Sequence, residues 1–457
     1  MTYHLAVDIG ASSGRHILGW VEDGIIKTEE IYRFENNLKK EDNKLIWDTD
    51  GLLKEVKEGI RQCKVTGKLP ETVAIDTWGV DYALLDADLN VIKPVYCYRD
   101  SRTERSIPEV EKLITKERMY ELTGIQKQTY NTVYQLYADK MDGRLEKAAH
   151  FLLMPAFLSF GLTGKVLNEY TESSTMGMIN ANTKTWDWEI INTLGFDREL
   201  FSELAMPCTE IGNFTDEVRE YVGFDAKVVF CPSHDTASAV AACPLEKDSM
   251  YISSGTWSLI GMENTEAVLT MDAMNAGFSN EGGIGKTFRF LKNYMGMWLF
   301  QNIRRNVDKP MTYEETTRIA KESGEYEYID VNASDFLAPD NMIDAIKNYL
   351  GQPDMPLGKV INSVYHSLAK SYADAVFEIE KLSGKSITAI HIVGGGCQDK
   401  YLNELTAEYT KKPVYAGPIE ATATGNILAQ VIYTNPDFTL EDAREMVRKS
   451  FNIVPVK

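Results

Sequence analysis

The chain has 457 residues, 44% of them hydrophobic and 25% charged, and a formal net charge of −19. That length supplies two or three domains at roughly 100–200 residues each. So acidic a balance argues against a nucleic-acid protein, which needs basic patches for phosphate. No apolar run approaches the ~18 residues of a membrane span. No basic segment followed by an apolar block opens the chain, so no secretory signal is expected. Cys63, Cys97, Cys208, Cys231, Cys243 and Cys397 are scattered, with no Cys-x-x-Cys pair. Neither a disulfide framework nor a zinc site is indicated, and free thiols in a cytoplasmic protein are expected.

Leu5, Ala6, Val7 and Ile9 predict a buried strand interrupted by one acid, Asp8. Gly10, Ser12, Ser13 and Gly14 follow as a turn whose amides and hydroxyls could face an anion, the glycines supplying unusual backbone angles. The turn runs into a second strand and not a helix, against a P-loop or a dinucleotide fingerprint. Asp23-Gly24 joins that strand to a third as a hairpin. An ordinary hairpin turn accounts for the glycines and serines but not for Asp8.

A helix near 49–64 comes next, then a strand in "TVAIDTWGVDYALLD", helical stretches near 104–118 and in "NTVYQLYADKM", and a mostly helical middle over 146–205. "AKVVFCPSHDTASAVAAC" reads as a strand, a short loop and a small-residue helix. Asp235 stands where that helix opens, an ordinary place for a capping aspartate. "SMYISSGTWSLIGMEN" repeats the opening order of strand, small-residue turn and strand. "EGGIGKTF" is not a Walker A loop, because Asn280 stands where its first glycine belongs and no apolar strand precedes it. "NYMGMWLFQ" reads as an amphipathic helix with Met295, Trp298 and Leu299 on its core face. The polar stretch 307–358 reads as a peripheral insertion. "ITAIHIVGGGCQ" ends a buried strand in a triple-glycine turn, and "KPVYAGPIEATATGNILAQVIY" is again strand, loop and helix.

The stretches "DIGASSGR", "IDTWGVD", "SHDTASAV", "SSGTWSL", "LKNYMGMWLFQ", "HIVGGGCQ" and "AGPIEATATGN", in this order, resemble the FGGY carbohydrate kinases of the actin/hexokinase/Hsp70 ATPase superfamily. The resemblance implies an α/β fold of two duplicated ribonuclease-H-like (actin-like ATPase) domains, over 1–245 and 246–457, with nucleotide and sugar in the cleft between them. It implies ATP-dependent phosphorylation of a small sugar or polyol, with ATP and Mg²⁺ as cofactors. No nucleic-acid or membrane partner is implied, and the protein would be a monomer or homodimer.

By the same resemblance Asp235 is the general base, and Gly79, His234, Thr236 and Asn293 contact the sugar. Asp8 holds Mg²⁺ through water. Ala11, Ser12, Ser13, Gly14 and Arg15 contact phosphate, Thr256 belongs to a second phosphate turn, Gln301 faces the nucleotide, and Gly395 lies against adenosine. Read alone, His234 is a core histidine bonded to backbone, Gly79 a bulge beside a core Trp78, and Arg15 a surface cation. Arg99, Asp100 and Arg102 read as a structural ion-pair cluster. The alternative of another class is a sugar-sensing regulator on the same fold. A net charge of −19 and a first strand beginning by residue 5 leave no room for its basic DNA-binding module.

Overall fold

A computed structural model describes residues 1–307 and 309–456. The chain forms two units, one from Met1–Ala242, Asn264–Phe290 and Ala421–Ser450, the other from Cys243–Glu263, Leu291–Glu420 and Phe451 onward.

The first unit is built on strands β1 (Tyr3–Ile9), β2 (Ser13–Glu22), β3 (Ile25–Glu35), β4 (Thr72–Thr77), β5 (Thr209–Asn213) and β6 (Lys227–Phe230), in the order β5-β6-β4-β1-β2-β3. β1 runs parallel to β4 and β4 parallel to β6, while β2 returns antiparallel along β1. Nearly all of β1 and all of β4 are buried, as strands covered on both faces are; the apolar stretches are Leu5–Val7 with Ile9 and Val73–Ile75, and Asp8 and Asp76 are the acids set among them. Asp23 and Gly24 both take positive φ in the β2–β3 turn, the backbone that a two-residue hairpin needs. Helix α1 (Thr49–Thr66) is capped by Asp48, whose carboxylate accepts from Gly51 N. Its Leu52, Val56, Ile60 and Cys63, spaced at helical period, join Leu5, Val7, Val73 and Ile75 in one core.

Helices α2 (Asp235–Ala241) and α3 (Ala421–Thr434) pack together in this unit. α3 carries buried amides into the sheet. Gln430 donates to Leu5 O and accepts from the Thr72 hydroxyl, and Asn426 donates to Ala74 O and to Asp76 Oδ2 at 2.6 Å. Glycines let α3 approach. A Cβ on Gly19 would lie 2.5 Å from Ile427 Cδ1, and one on Gly425 would lie 1.8 Å from the Ser238 carbonyl oxygen of α2.

The second unit repeats the opening of the first. β7 (Met250–Ser254) pairs antiparallel with β8 (Trp257–Asn264) and parallel with β9 (Ile390–Val393), which pairs parallel with β10 (Val414–Ala416). The order β8-β7-β9-β10 matches β2-β1-β4-β6. Two α/β units with mixed sheets and the same strand–turn–strand start agree with the duplicated fold expected from the sequence.

Residues 146–205 are mixed and not mostly helical. Strands His150–Leu153, Asn168–Glu169 and Leu204–Ala205 alternate with helices Met154–Thr163, Tyr170–Ser173 and Trp188–Thr193. The apolar run from Phe151 to Thr163 is buried almost throughout and so carries no period to separate its strand from its helix. The 307–358 stretch holds helices Tyr313–Ser323 and Met342–Tyr349, and its Asp308 lies outside the described residues. No helix among the described residues is long and apolar enough to cross a membrane.

Two core histidines give the first unit a pH dependence. His4 Nδ1 lies 2.7 Å from Thr72 Oγ1, whose proton goes to Gln430, so His4 is the donor. His16 Nε2 donates to Val56 O at 3.0 Å. Burial lowers both pKa values to about 4. A lowered folded pKa means the unfolded chain takes up the proton first, so the stability is complete above pH ~6.5 and lost as pH falls toward 4. Each histidine accounts for about 3 kcal/mol at most. Urea midpoints are expected to fall steadily from pH 6.5 to 4, and His4→Gln to flatten that slope. A midpoint constant over the range would contradict the neutral, buried assignment.

Candidate active site

The first unit gathers its polar side chains where the parallel strands β1, β4 and β6 end, the usual place for ligands in α/β sheets. Asp8 and Asp76 stand opposite each other in the β1–β4 register, and Asp8 stands opposite Arg15 across the hairpin. Arg15 Nη2 donates to Asp8 Oδ2 at 2.6 Å, so this cation is engaged with the strand acid and is not a plain surface charge. Asp76 is 0% exposed. Burial, and then the charge of Asp8, push its carboxyl well above the usual range, while the Asn426 hydrogen bond opposes them. Asp76 Oδ1 has no partner among the described residues.

The turn after β1 is clamped from behind. Asn36 takes the Gly10 carbonyl with its amide and the Ser12 carbonyl with its backbone N–H, and Gly10 N donates to Ser13 O. Ala11 and Ser13 are half-buried and Ser12 is exposed. The expected unusual backbone angles are absent, since neither Gly10 nor Gly14 has positive φ. Gly14 is required for space instead: a Cβ there would lie 2.1 Å from Phe34 Cζ.

The loop after β6 lies beside the end of β4, with Thr77 N bonded to Ser233 O and Thr77 bridged to His234. Glu169, fully buried, accepts from Thr171 N, Thr171 Oγ1, Glu172 N and Ser233 N, and so ties the helix Tyr170–Ser173 to this loop. His234 is the N-cap of α2 and Asp235 its first residue. Asp235 is therefore not the cap that the sequence allowed. Its Oδ1 accepts from Thr236 N at 2.5 Å and from Thr236 Oγ1 at 3.0 Å. Its Oδ2 bears no hydrogen bond among the described residues, and the side chain is 33% exposed. A carboxylate fixed through one oxygen and open at the other suits proton abstraction.

His234 is not bonded to backbone through its ring. Its Nδ1 lies 3.1 Å from Arg289 Nη2 and its Nε2 lies 3.5 Å from Asp235 Oδ1. A Cβ on Gly79 would lie 3.3 Å from His234 Nε2 and 3.4 Å from Thr175 Oγ1, so any larger residue would crowd the histidine. Glu172 is 0% exposed, and neither of its oxygens has a partner among the described residues. Burial, then the charge of Asp235, raise its pKa well above the usual range. Arg289 with its counter-charge Glu281 completes the group; burial raises the Glu281 pKa, but the Arg289 guanidinium and His234 outweigh it and hold the carboxyl down at about 2.

Behind Gly79 the chain turns sharply. Val80 has φ +72°, a strained state for a β-branched residue. Asp81 holds it: buried, it accepts from Trp47 Nε1, Trp78 Nε1, Tyr98 N and Gln135 Nε2. Trp78 is thus a core residue, its ring tilted 35° to that of Trp47 with the centroids 4.2 Å apart. Burial still lifts the Asp81 pKa to about 6. The expected Arg99–Asp100–Arg102 cluster is different: Arg102 pairs with Asp139, which also pairs with Arg144, while Asp100 caps Leu45 N and Arg102 N.

In the second unit, Gly255 and Thr256 form the turn between β7 and β8, with Thr256 exposed. The carbonyls of Gly255 and Thr256 accept from Met297 N and Trp298 N, so the turn caps the helix Trp298–Arg305 that carries the half-buried Gln301. "NYMGMWLFQ" is not one helix. Asn293 and Met295 end a strand, Phe288–Met295, with Asn293 exposed, and the chain breaks at Gly296. A Cβ on Gly296 would lie 2.7 Å from the Trp257 carbonyl carbon, so the break is set by packing on the turn. The triple glycine divides in the same way. Cβ atoms on Gly394 and Gly396 would lie 2.9 Å and 2.0 Å from Ser254 atoms, whereas one on Gly395 meets nothing within 4 Å. Gly395 is the open position.

Models of the FGGY family of carbohydrate kinases match this chain over residues 3–242 for the N-terminal domain and 250–433 for the C-terminal domain. The chain belongs to the FGGY family of carbohydrate kinases. A rhamnulokinase of Halalkalibacterium halodurans is 44% identical, covering 99% of this chain and 98% of that protein. One of Bacillus subtilis is 39% identical, covering 98% and 94%. Solved structures share the fold: xylulose kinase and gluconate kinase of Lactobacillus acidophilus each give a TM-score of 0.80 over 100% of this chain and 93% of theirs, at 14% and 15% identity. Plasmodium falciparum glycerol kinase with ADP gives 0.77 at 13% identity, over 100% of this chain and 94% of its own.

This FGGY kinase therefore uses ATP as phosphoryl donor. The side-by-side carboxylates Asp8 and Asp76, one with an unpartnered oxygen, fit Mg²⁺, which takes one or two carboxylates with water and phosphate. Asp76 is absent from the sequence-based candidates, although its acid-in-strand signal equals that of Asp8. Glu172, Glu281 and Arg289 are absent as well, because their place in this group arises only from contacts between distant segments.

Proposed function

We propose that this kinase transfers the γ-phosphoryl group of ATP to the 1-hydroxyl of L-rhamnulose, giving L-rhamnulose 1-phosphate and ADP, in L-rhamnose catabolism. The reading is carried by similarity to rhamnulokinases along nearly the whole chain at 36–44% identity. Asp235 Oδ2 accepts the hydroxyl proton as the sugar oxygen forms its bond to phosphorus; the bond from that phosphorus to the bridging oxygen breaks, and ADP leaves. The transition state is loose, so a weak but well-placed carboxylate suffices. Gly79, His234, Thr236 and Asn293 hold the sugar. Ala11, Ser12, Ser13, Gly14, Arg15 and Thr256 contact phosphate, and Gln301 and Gly395 the nucleotide. Mg²⁺, carried by Asp8 beside Asp76, neutralises charge on the phosphate oxygens when bound. Residues 1–245 hold most of the sugar and the first phosphate turn, and 246–457 carry Asn293, the second turn and adenosine. The protein works in the cytoplasm as a monomer or homodimer.

The charge around Asp235 adds a restriction. Arg289 already has Glu281 as its counter-ion, Asp235 stands in the same site, and Asp81, Glu169 and Glu172 add carboxyl groups and no positive charge. An anionic sugar would enter against that field, so the acceptor is neutral. ADP release is to be followed with L-rhamnulose, L-fuculose, D-xylulose, glycerol and D-gluconate. L-Rhamnulose is expected to be turned over best and D-gluconate not at all. Clear preference for another neutral acceptor would remove the substrate assignment, and turnover of D-gluconate would remove the charge argument.

Gly395→Ala is expected to keep the melting temperature and raise KM for ATP. Gly396→Ala, with its Cβ 2.0 Å from Ser254 Oγ, is expected to lower the melting temperature. Equal effects on melting would contradict the division of the glycines.

A further inference from the structure

Arg289 has no part in the chemistry described so far, and it is 0% exposed. A guanidinium is among the costliest groups to bury, and packing alone would be served as well by an apolar side chain. Its Nε donates to Gly282 O at 3.0 Å, and Nη2 lies 2.9 Å from Glu281 Oε2. The same Nη2 lies 3.1 Å from His234 Nδ1. Arginine has donors only, so that contact requires Nδ1 to accept. Glu281 Oε2 is also near Nδ1, but at the longer distance of 3.4 Å. With Nδ1 accepting, the ring proton sits on Nε2. That is the nitrogen nearest Asp235 Oδ1, at 3.5 Å, and nearest a Cβ built on Gly79, at 3.3 Å.

We propose that Arg289 is a positioning residue that fixes His234 as an Nε2–H donor toward the bound sugar. This rests on the reading of His234 as a sugar contact. The polarity is the reverse of a Ser-His-Asp triad. There a carboxylate at Nδ1 leaves Nε2 as a base. Here a guanidinium at Nδ1 leaves Nε2 as a donor. His234 then does not compete with Asp235 for the hydroxyl proton: one side chain donates to the sugar and the other accepts. Glu281 and the Gly282 carbonyl hold the guanidinium in place.

The test is a double-mutant cycle with L-rhamnulose. His234→Phe keeps a ring and removes both nitrogens, while Arg289→Met removes the guanidinium. Each is expected to raise KM about 10- to 100-fold with a far smaller change in kcat. The double variant is expected to be no worse than His234→Phe, because Arg289 acts through the histidine. Arg289→Lys, which keeps a donor, is expected to recover part of the loss. If His234→Phe leaves KM unchanged, the sugar-contact reading of His234 fails. If it raises KM while folded Arg289→Met does not, or if the two losses simply add, the positioning role fails. Should Arg289→Met not fold, ¹⁵N NMR of histidine-labelled wild type decides, with His234 assigned from His234→Phe. A neutral ring protonated on Nε2 at pH 7 supports the proposal, and an Nδ1–H or doubly protonated ring overturns it.

Discussion

Asp235→Asn is expected to lower kcat for L-rhamnulose about 10²- to 10⁴-fold while KM stays within a few-fold. Asparagine keeps the shape, and its amide oxygen can still accept from Thr236 N and Oγ1, as Asp235 Oδ1 does now. What changes is the other atom. An acceptor with no partner among the described residues becomes an NH₂ donor and cannot take a proton. The fold should not suffer. Asp235 adds negative charge beside Asp76 and Glu172, both of which it pushes toward the protonated form. Its removal relieves that repulsion, so the melting temperature is expected to rise, the pattern of a site that trades stability for activity. A kcat within tenfold of wild type would remove the base assignment. A fall in melting temperature together with kcat would point to a structural aspartate.

The parts of the site legible in the sequence were those written in consecutive residues. A strand acid, a small-residue turn and a return strand state their own geometry, so the turns that carry Asp8 to Arg15 and Thr256 are legible, while the roles proposed for them come from the family resemblance. His-Asp-Thr at a strand–helix junction is equally local. Partners were not legible. Arg289 reaches His234 across 55 positions and Asn426 reaches Asp76 across 350, and no period or turn signal links such segments. Two local readings failed for a steric reason. Gly14 reads as a backbone-angle glycine, but it makes room for Phe34. "NYMGMWLFQ" reads as a helix, because apolar residues at 295, 298 and 299 fit helical spacing. Only the close approach of Gly296 to the Gly255–Trp257 turn places the break.

Gly425→Ala separates the same two levels of reading. By helix propensity alone the change is favourable by about 1 kcal/mol, and a surface glycine in α3 would be a good stabilising target. Gly425 is not on the surface. A Cβ there would lie 1.8 Å from Ser238 O, 2.7 Å from Ser238 C and 3.2 Å from Ala242 N, all of them backbone atoms of α2 or its end. No rotamer can move out of the way, so the helices must part. Such overpacking costs about 1–3 kcal/mol and sometimes more, enough to cancel the propensity gain and lower the melting temperature. The effect on rate should be larger than the effect on stability. Asp235 begins α2, and Ser238 N bonds to the carbonyl of its cap, His234, at 3.0 Å. A shift imposed at Ser238 is therefore passed to the base, and misplacing a reacting group by about 1 Å costs roughly 10² in rate. Gly425→Ala is expected to lose about that factor in kcat under conditions where it remains folded. A raised melting temperature with unchanged kcat would mean that α3 does not set the position of Asp235.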